Sequence, residues 1–196
     1  EKIMRTLETN EPSFEIVLVA NYDKEGNDDT TPVIVRNLCA QNNKCRFVTE
    51  EKQGMMGWDL RTGLTRANGN FILFLDGDGQ TPVEEILRAY GSLLQSGADI
   101  CTVYRTHRED GLFRIICSFF LNLLFRLFFP GIGTRDINGK PKIIKRSAYK
   151  RMCLTSNDWF ADAEFMLEAR RLKMQVCEIP GMFLKNTWRK SFIGLP

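Results

Sequence analysis

Apolar and polar positions along the chain fall into two kinds of block. Short, continuous apolar runs, several rich in β-branched residues, occur at 14–20, 44–49, 71–75, 99–104, 143–144 and 175–180. Runs of this length, punctuated by Gly, Asn and Pro, predict strands. Between them the apolar residues recur with helical spacing. This predicts helices at 33–40 (opened by Pro32), 54–67 and 84–95 (stopped by Ser96-Gly97). A helical turn at 147–152 and a helix from Trp159 through Leu172 follow, the latter with Asp162 and Glu164 near its start, where the helix dipole favours acids. Alternating strands and helices predict a layered, Rossmann-like α/β fold with a mostly parallel central sheet flanked by helices. The chain begins at Glu1, and Ile3 to Leu7 reads as the end of a helix. The expectation is therefore that an N-terminal strand and part of a helix are missing.

One block fits neither kind. From Leu112 to Phe129 the chain is almost entirely Leu, Ile and Phe, broken by Arg114, Ser118, Asn122 and Arg126 at intervals of four. Four residues are about 400° of helix, so these side chains form one slowly drifting polar stripe on an otherwise apolar helix. Its length of about 18 residues approaches a membrane span. Two arginines on one face make spanning costly, at roughly 2.5–3.5 kcal/mol each near a bilayer centre. A helix lying on a membrane surface or covering a lipid-chain groove is expected. A core helix whose stripe meets the rest of the domain is the alternative.

The run Phe71 to Leu75, taken as a central strand buried on both faces, ends in Asp76-Gly77-Asp78-Gly79-Gln80, and Pro82 then suits a helix start. Acid groups at the carboxyl end of such a strand lie where open α/β sheets bind ligands. Two carboxylates and an amide at alternate positions suit a hard divalent ion, Mg²⁺ or Mn²⁺, that also holds phosphates. Asp76, Asp78 and Gln80 are the candidate metal ligands. An acidic turn without function is the bland alternative. An EF-hand loop is excluded, because Thr81 and Leu87 stand where Gly and Glu are needed.

Composition adds limits. At 196 residues the chain suits one domain, and a net charge of +3 does not by itself imply nucleic acid. Excess Arg and Lys after Arg105 favours an anionic partner for that part. The six cysteines form no Cys-x-x-Cys pair and there is one His, which argues against a zinc site. Cys101 and Cys117 are expected in the core, and scattered free thiols favour a reducing compartment. No signal peptide is legible.

Together these pieces resemble the family-2 glycosyltransferases of the GT-A fold, and among them the polyprenyl-phosphate sugar synthases such as dolichol-phosphate mannose synthase. Asp76-Gly-Asp78-Gly-Gln80 resembles their Asp-x-Asp-x-Gln motif. Arg105, Arg114, Ser118 and Asn122 resemble their Arg and Arg-x-x-x-Ser-x-x-x-Asn pattern. Asp136-Ile-Asn-Gly139 is similar to an Asp-x-x-x-Gly loop, one residue short, and Glu164, Ala169 and Glu178-Ile-Pro180 follow in order. The chain departs from the pattern at Ala20-Asn21-Tyr22-Asp23, where Asp-Asp-Gly-Ser is usual, and near Ser191, where Asn186 and Phe192 replace Arg and Lys.

The resemblance implies an inverting, metal-dependent transfer of a hexose from a GDP- or UDP-linked sugar to a membrane acceptor, most simply a polyprenyl phosphate. It implies one glycosyltransferase domain with a donor part at 1–104 and an acceptor part at 105–196. Asp76, Asp78, Asp136 and Glu164 are the candidate catalytic residues, and Asp29, Lys52 and Asp76 the candidate donor-binding residues. Arg105, Arg114, Ser118, Asn122, Arg135 and Ser191 are the candidate acceptor-binding residues. A phosphate acceptor, largely ionised at neutral pH, needs no base. An alcohol would need one, with Asp136, Asp162 or Glu164 as candidates. The expected location is peripheral, on the cytoplasmic face of a membrane, with no nucleic-acid partner. A haloacid-dehalogenase-like phosphatase and a non-catalytic membrane-binding module are the alternatives.

Overall fold

A computed structural model describes residues 2–10, 13–24, 29–108 and 112–184, without the side chains at 107, 108 and 112–114. The elements in order are α1 (Lys2–Asn10), β1 (Ile16–Val19), α2 (Thr31–Ala40), β2 (Cys45–Val48), α3 (Met56–Arg66) and β3 (Phe71–Phe74). They continue with α4 (Val83–Ser96), β4 (Ile100–Arg108), α5 (Leu112–Phe128), β5 (Lys142–Lys145), α6 (Arg146–Tyr149), α7 (Ala161–Arg171) and β6 (Val176–Phe183). Local chemistry explains several boundaries. Pro32 lies in the first turn of α2, where its missing N–H costs nothing. α4 carries Glu84 and Glu85 in its first turn and ends at Gly97, whose φ of 67° is left-handed. α7 has acids at its start and Arg170 and Arg171 in its last turn, matching the helix dipole at both ends.

The strands form a two-stranded sheet, β1-β2, and a four-stranded sheet of order β3-β5-β4-β6. β1 pairs with β2, and β4 with β6, in parallel. β3, expected at the centre of the sheet, is an edge strand among the described residues. Only Ile72 in it is buried. With a neighbour on one side alone, the other three apolar residues stay half-covered. β4 runs four residues past its apolar stretch, because its backbone continues to pair with β6 as far as Arg108 opposite Phe183. The register shifts between Arg105 and His107, and such bulges re-aim side chains.

The chain forms two compact units, Glu1–Ile72 with Ile144–Lys173, and Leu73–Ile143 with Met174–Pro196. In the first, α3 packs on β1 and α7, around Leu64, Phe165, Met166 and Ala169. In the second, α4 covers β4 and β6, around Ala89, Leu93, Ile100, Cys101 and Val103. Cys101 is buried as expected, but Cys117 is exposed, because α5 is not a core helix. Phe119, Phe120, Leu124, Leu127 and Phe128 are exposed along it, Leu127 by 67% and Phe128 by 73%. No described helix is long and apolar enough to cross a membrane.

Residues 134–142 lie against β4. The Val103 N–H donates to the Pro141 carbonyl at 3.2 Å, and the Thr102 hydroxyl donates to the Gly139 carbonyl at 3.4 Å. A Cβ on Gly139 would sit 2.2 Å from the Val103 carbonyl oxygen, a clash with backbone that no rotamer relieves. Gly139→Ala is therefore expected to destabilise by about 1–3 kcal/mol or more. Gly77→Ala, where a Cβ meets nothing within 4 Å, should stay within about 0.5 kcal/mol of wild type. Urea unfolding of the two variants checks the contrast.

Candidate active site

The second unit gathers most of the residues singled out in the sequence. β3 delivers the chain into the Asp76–Gln80 turn, where Gly79 takes a φ of 74°, a value glycine adopts without strain. The Asp78 carboxylate accepts the Gln80 N–H at 3.0 Å. Gln80 is fixed at the end of β6: its side-chain amide donates to the Leu184 carbonyl at 2.9 Å, and the Leu184 N–H donates to the Gln80 carbonyl at 2.8 Å. Asp76 has a side chain 45% exposed and accepts a 2.7 Å hydrogen bond from the ammonium of Lys140, whose own side chain is 7% exposed.

The donor set fits a divalent ion of one kind. Among the described residues no group of three or more His, Cys, Asp or Glu side chains is placed to hold a metal, so the protein offers no closed cage. Two hard carboxylates on an accessible turn suit Mg²⁺ or Mn²⁺, which keep several waters and take remaining ligands from substrate phosphates.

The loop after α5 holds the second group of acids and cations. Arg105 donates through Nε and Nη2 to the two oxygens of Asp136, at 2.6 and 2.8 Å. Both side chains are about nine-tenths buried, at 11% and 9% exposure. Burial alone would raise the Asp136 carboxyl. The paired hydrogen bonds and charge of Arg105 outweigh it, with Lys142 adding to them, and hold the carboxyl below its usual value. Lys142 is fully buried, with its ammonium 5.9 Å from the Phe74 ring centre. Glu178 on β6 accepts the Thr134 hydroxyl at 2.6 Å and the Arg135 N–H at 2.7 Å. Asn122 on α5 accepts the Ile137 N–H at 2.9 Å and faces Ser118 at 3.5 Å.

Asn122 of α5 thus reaches the Asp136 loop, while apolar residues of the helix stay exposed. Arg105 and Asp136, assigned from the sequence to acceptor binding and catalysis, are each other's partner. Arg135 lies largely in solvent, its guanidinium 5.2 Å from the Tyr104 ring centre. The Arg114 side chain and Ser191 lie outside the described residues.

The first unit holds the others. Asp29 accepts the Thr31 N–H at 2.9 Å. Hydrogen bonding from Thr31, aided by the Lys52 charge, holds its carboxyl below the usual value. Lys52 is 3.4 Å from Asp59, which also accepts the side-chain amide of buried Asn21 at 2.8 Å. Glu164 accepts the Thr155 N–H and hydroxyl at 2.8 Å each and the Ser156 N–H at 2.9 Å. That geometry gives Glu164 a share in positioning residues 155 and 156. Two cavities of this unit are lined by Cys39, Ala40 and Cys45–Phe47, and by Asn70, Phe71, Lys145–Ser147 and Lys150. Asp76 and Asp78 line neither.

Sequence reasoning missed Lys140, Asn21 and Asp59. No local signal marks Lys140, whose partner Asp76 lies 64 residues away.

Removing Arg105 leaves a buried carboxylate without its strongest partner. Arg105→Met is expected to cost about 3–5 kcal/mol at pH 7. The sign of the pH dependence should also change. In wild type the folded Asp136 value is depressed, so its stability contribution is full above the unfolded value near about 3.9. It fades as pH falls through the folded value. In Arg105→Met burial raises that value, so the deficit should shrink between pH 7 and 4. Urea unfolding across pH 3–7 reads both.

Known proteins resemble this chain in family and in fold. The family model described as "Glycosyl transferase family 2" matches residues 2–153. A dolichyl-phosphate beta-glucosyltransferase of Trichomonas vaginalis is 26% identical over 187 residues, covering 90% of this chain and 54% of that protein. An undecaprenyl-phosphate 4-deoxy-4-formamido-L-arabinose transferase of Yersinia enterocolitica is 36% identical over 67 residues, covering 34% of this chain and 20% of that protein. The chain therefore spans about half the length of the first of these relatives or less. Glucosyl-3-phosphoglycerate synthase of Mycobacterium tuberculosis, solved with Mn²⁺, UDP and glucosyl-3-phosphoglycerate, superposes with a TM-score of 0.65 at 14% identity. It covers 94% of this chain and 76% of that one. The fold is the GT-A fold, and with a family model matching most of its length the chain belongs to glycosyl transferase family 2.

Proposed function

We propose that the chain carries the transferase site of an inverting enzyme moving a hexose from a nucleotide-diphosphate sugar to a polyprenyl phosphate at a membrane surface. The observation that carries this reading is the two-faced helix α5. Its Asn122 holds the Asp136 loop while Phe119, Phe120, Leu124, Leu127 and Phe128 stay exposed. A lipid phosphate needs that pairing, a polar phosphate site beside an apolar surface. The curated relatives from Trichomonas and Yersinia, named for transfer to dolichyl and undecaprenyl phosphates, support the acceptor class. The Mycobacterium structure with Mn²⁺ and UDP supports a nucleotide donor and a divalent ion. The phosphatase and the non-catalytic module are not favoured beside the family match.

Asp76 and Asp78 would hold the ion, with Gln80 setting the turn. When bound, the ion neutralises charge on the departing diphosphate. An acceptor phosphate oxygen attacks the anomeric carbon, and the carbon–oxygen bond to the diphosphate breaks with its electron pair on the diphosphate. Arg135, exposed at the loop, with Arg114 and Ser191, would position the phosphate. Asp136, held ionised by Arg105 and lowered in basicity, suits orientation better than proton abstraction.

The test is transfer of labelled sugar from a panel of UDP- and GDP-sugars into an organic-extractable product with Mn²⁺. Polyprenyl phosphate should be glycosylated and the matching polyprenol should not. Transfer to the alcohol alone, or sugar release without transfer, would refute the acceptor assignment. Asp78→Asn should lower turnover roughly 100-fold or more. Leu127→Glu, on the exposed face, should leave the melting temperature unchanged and weaken co-sedimentation with anionic phospholipid vesicles.

A further inference from the structure

Lys140 has no part in the reading so far, yet its ammonium contacts the first acid of the motif. The pair is lopsided: Lys140 is the buried member and Asp76 the open one, at 7% and 45% side-chain exposure. A buried ammonium cannot rely on water and must keep an acceptor. Asp76, standing at the surface, can be solvated without it. Lys140 is also held by its neighbours in the chain, since Gly139 and Pro141 both hydrogen-bond to β4 through their carbonyls. Its 2.7 Å contact with Asp76 Oδ1 engages an oxygen that a divalent ion would need.

We propose that Lys140 guards the cation site: its ammonium occupies Asp76 in the free protein and yields it when a diphosphate arrives with a divalent ion. The logic is one of charge. A metal taking Asp76 Oδ1 sets a second cation beside the ammonium and competes for the oxygen the ammonium engages, so metal alone binds weakly. A diphosphate brings oxygens that accept the ammonium, and the conflict disappears. Lys140 then adds a positive charge beside the leaving group. It is a positioning residue acting through Asp76, and the inference rests on the reading of Asp76 as a metal ligand.

The experiment is a Mn²⁺ titration of the nucleotide-free protein followed by electron paramagnetic resonance, which requires no activity. Lys140→Met keeps the buried stem and removes the charge. It should bind Mn²⁺ roughly tenfold tighter than wild type. Lys140→Arg, which restores a cation, should return toward wild-type affinity. Asp76→Asn should bind weakly and abolish the gain when combined with Lys140→Met. Thermal melts establish that each variant is folded, and Lys140→Gln, which also removes the charge, serves if Lys140→Met is not. Equal affinities for wild type and Lys140→Met, weaker binding by Lys140→Met, or no Mn²⁺ binding by either would overturn the proposal. So would an Arg variant that loses wild-type behaviour. Failure of the transferase reading looks different: no sugar is transferred, while the titration still responds to residue 140.

Discussion

The ion pair between Arg105 and Asp136 is the contact on which the second unit depends. Two charges lie almost out of water, and a pair in that position is stable only where its geometry is good and its other bonding groups are satisfied. Both conditions are met: the guanidinium engages both carboxylate oxygens, and the Arg105 N–H adds a 3.4 Å contact. The bulge in β4 just beyond Arg105 breaks the regular alternation at this point. The loop carrying Asp136 is then gripped by Glu178 from β6 and by Asn122 from α5. Three elements therefore meet at one loop, and each contributes a polar side chain.

A second consequence is electrostatic. Asp76 and Asp136 each have a cationic partner, and fully buried Lys142 adds to the field at Asp136. The Asp136 carboxylate, so surrounded, stays ionised. Such a surface suits a ligand that brings negative oxygens and its own divalent ion, the combination a nucleotide-diphosphate sugar supplies. It suits a general base poorly, because the partner that keeps Asp136 charged also lowers its appetite for a proton.

Helix α5 separates two environments. Its Asn122 meets the loop, with Ser118 beside it on the helix, and Phe119, Phe120, Leu124, Leu127 and Phe128 remain open to solvent. An exposed apolar surface on this scale is costly in water and is usually matched to a partner. The same helix that completes the polar loop therefore offers the apolar contact that a lipid acceptor or membrane surface would use.

The order of elements, the α/β class and the two-faced nature of α5 were legible in the chain, because each follows from local periodicity and from Gly, Pro and acid placement. The Asp76–Gln80 turn and the Asp136 loop were legible for the same reason. Partnerships were not. Arg105 meets Asp136 across 31 residues, and Lys140 meets Asp76 across 64. No spacing rule reaches that far. Local pattern likewise marked β3 as a strand but placed it at the sheet's centre. Its edge position depends on which strands pair, and the extension of β4 and β6 depends on a ladder between segments far apart in sequence. Local propensity determined what each segment is. Long-range packing decided which charge answers which, pairing Arg105 with Asp136 and Lys140 with Asp76.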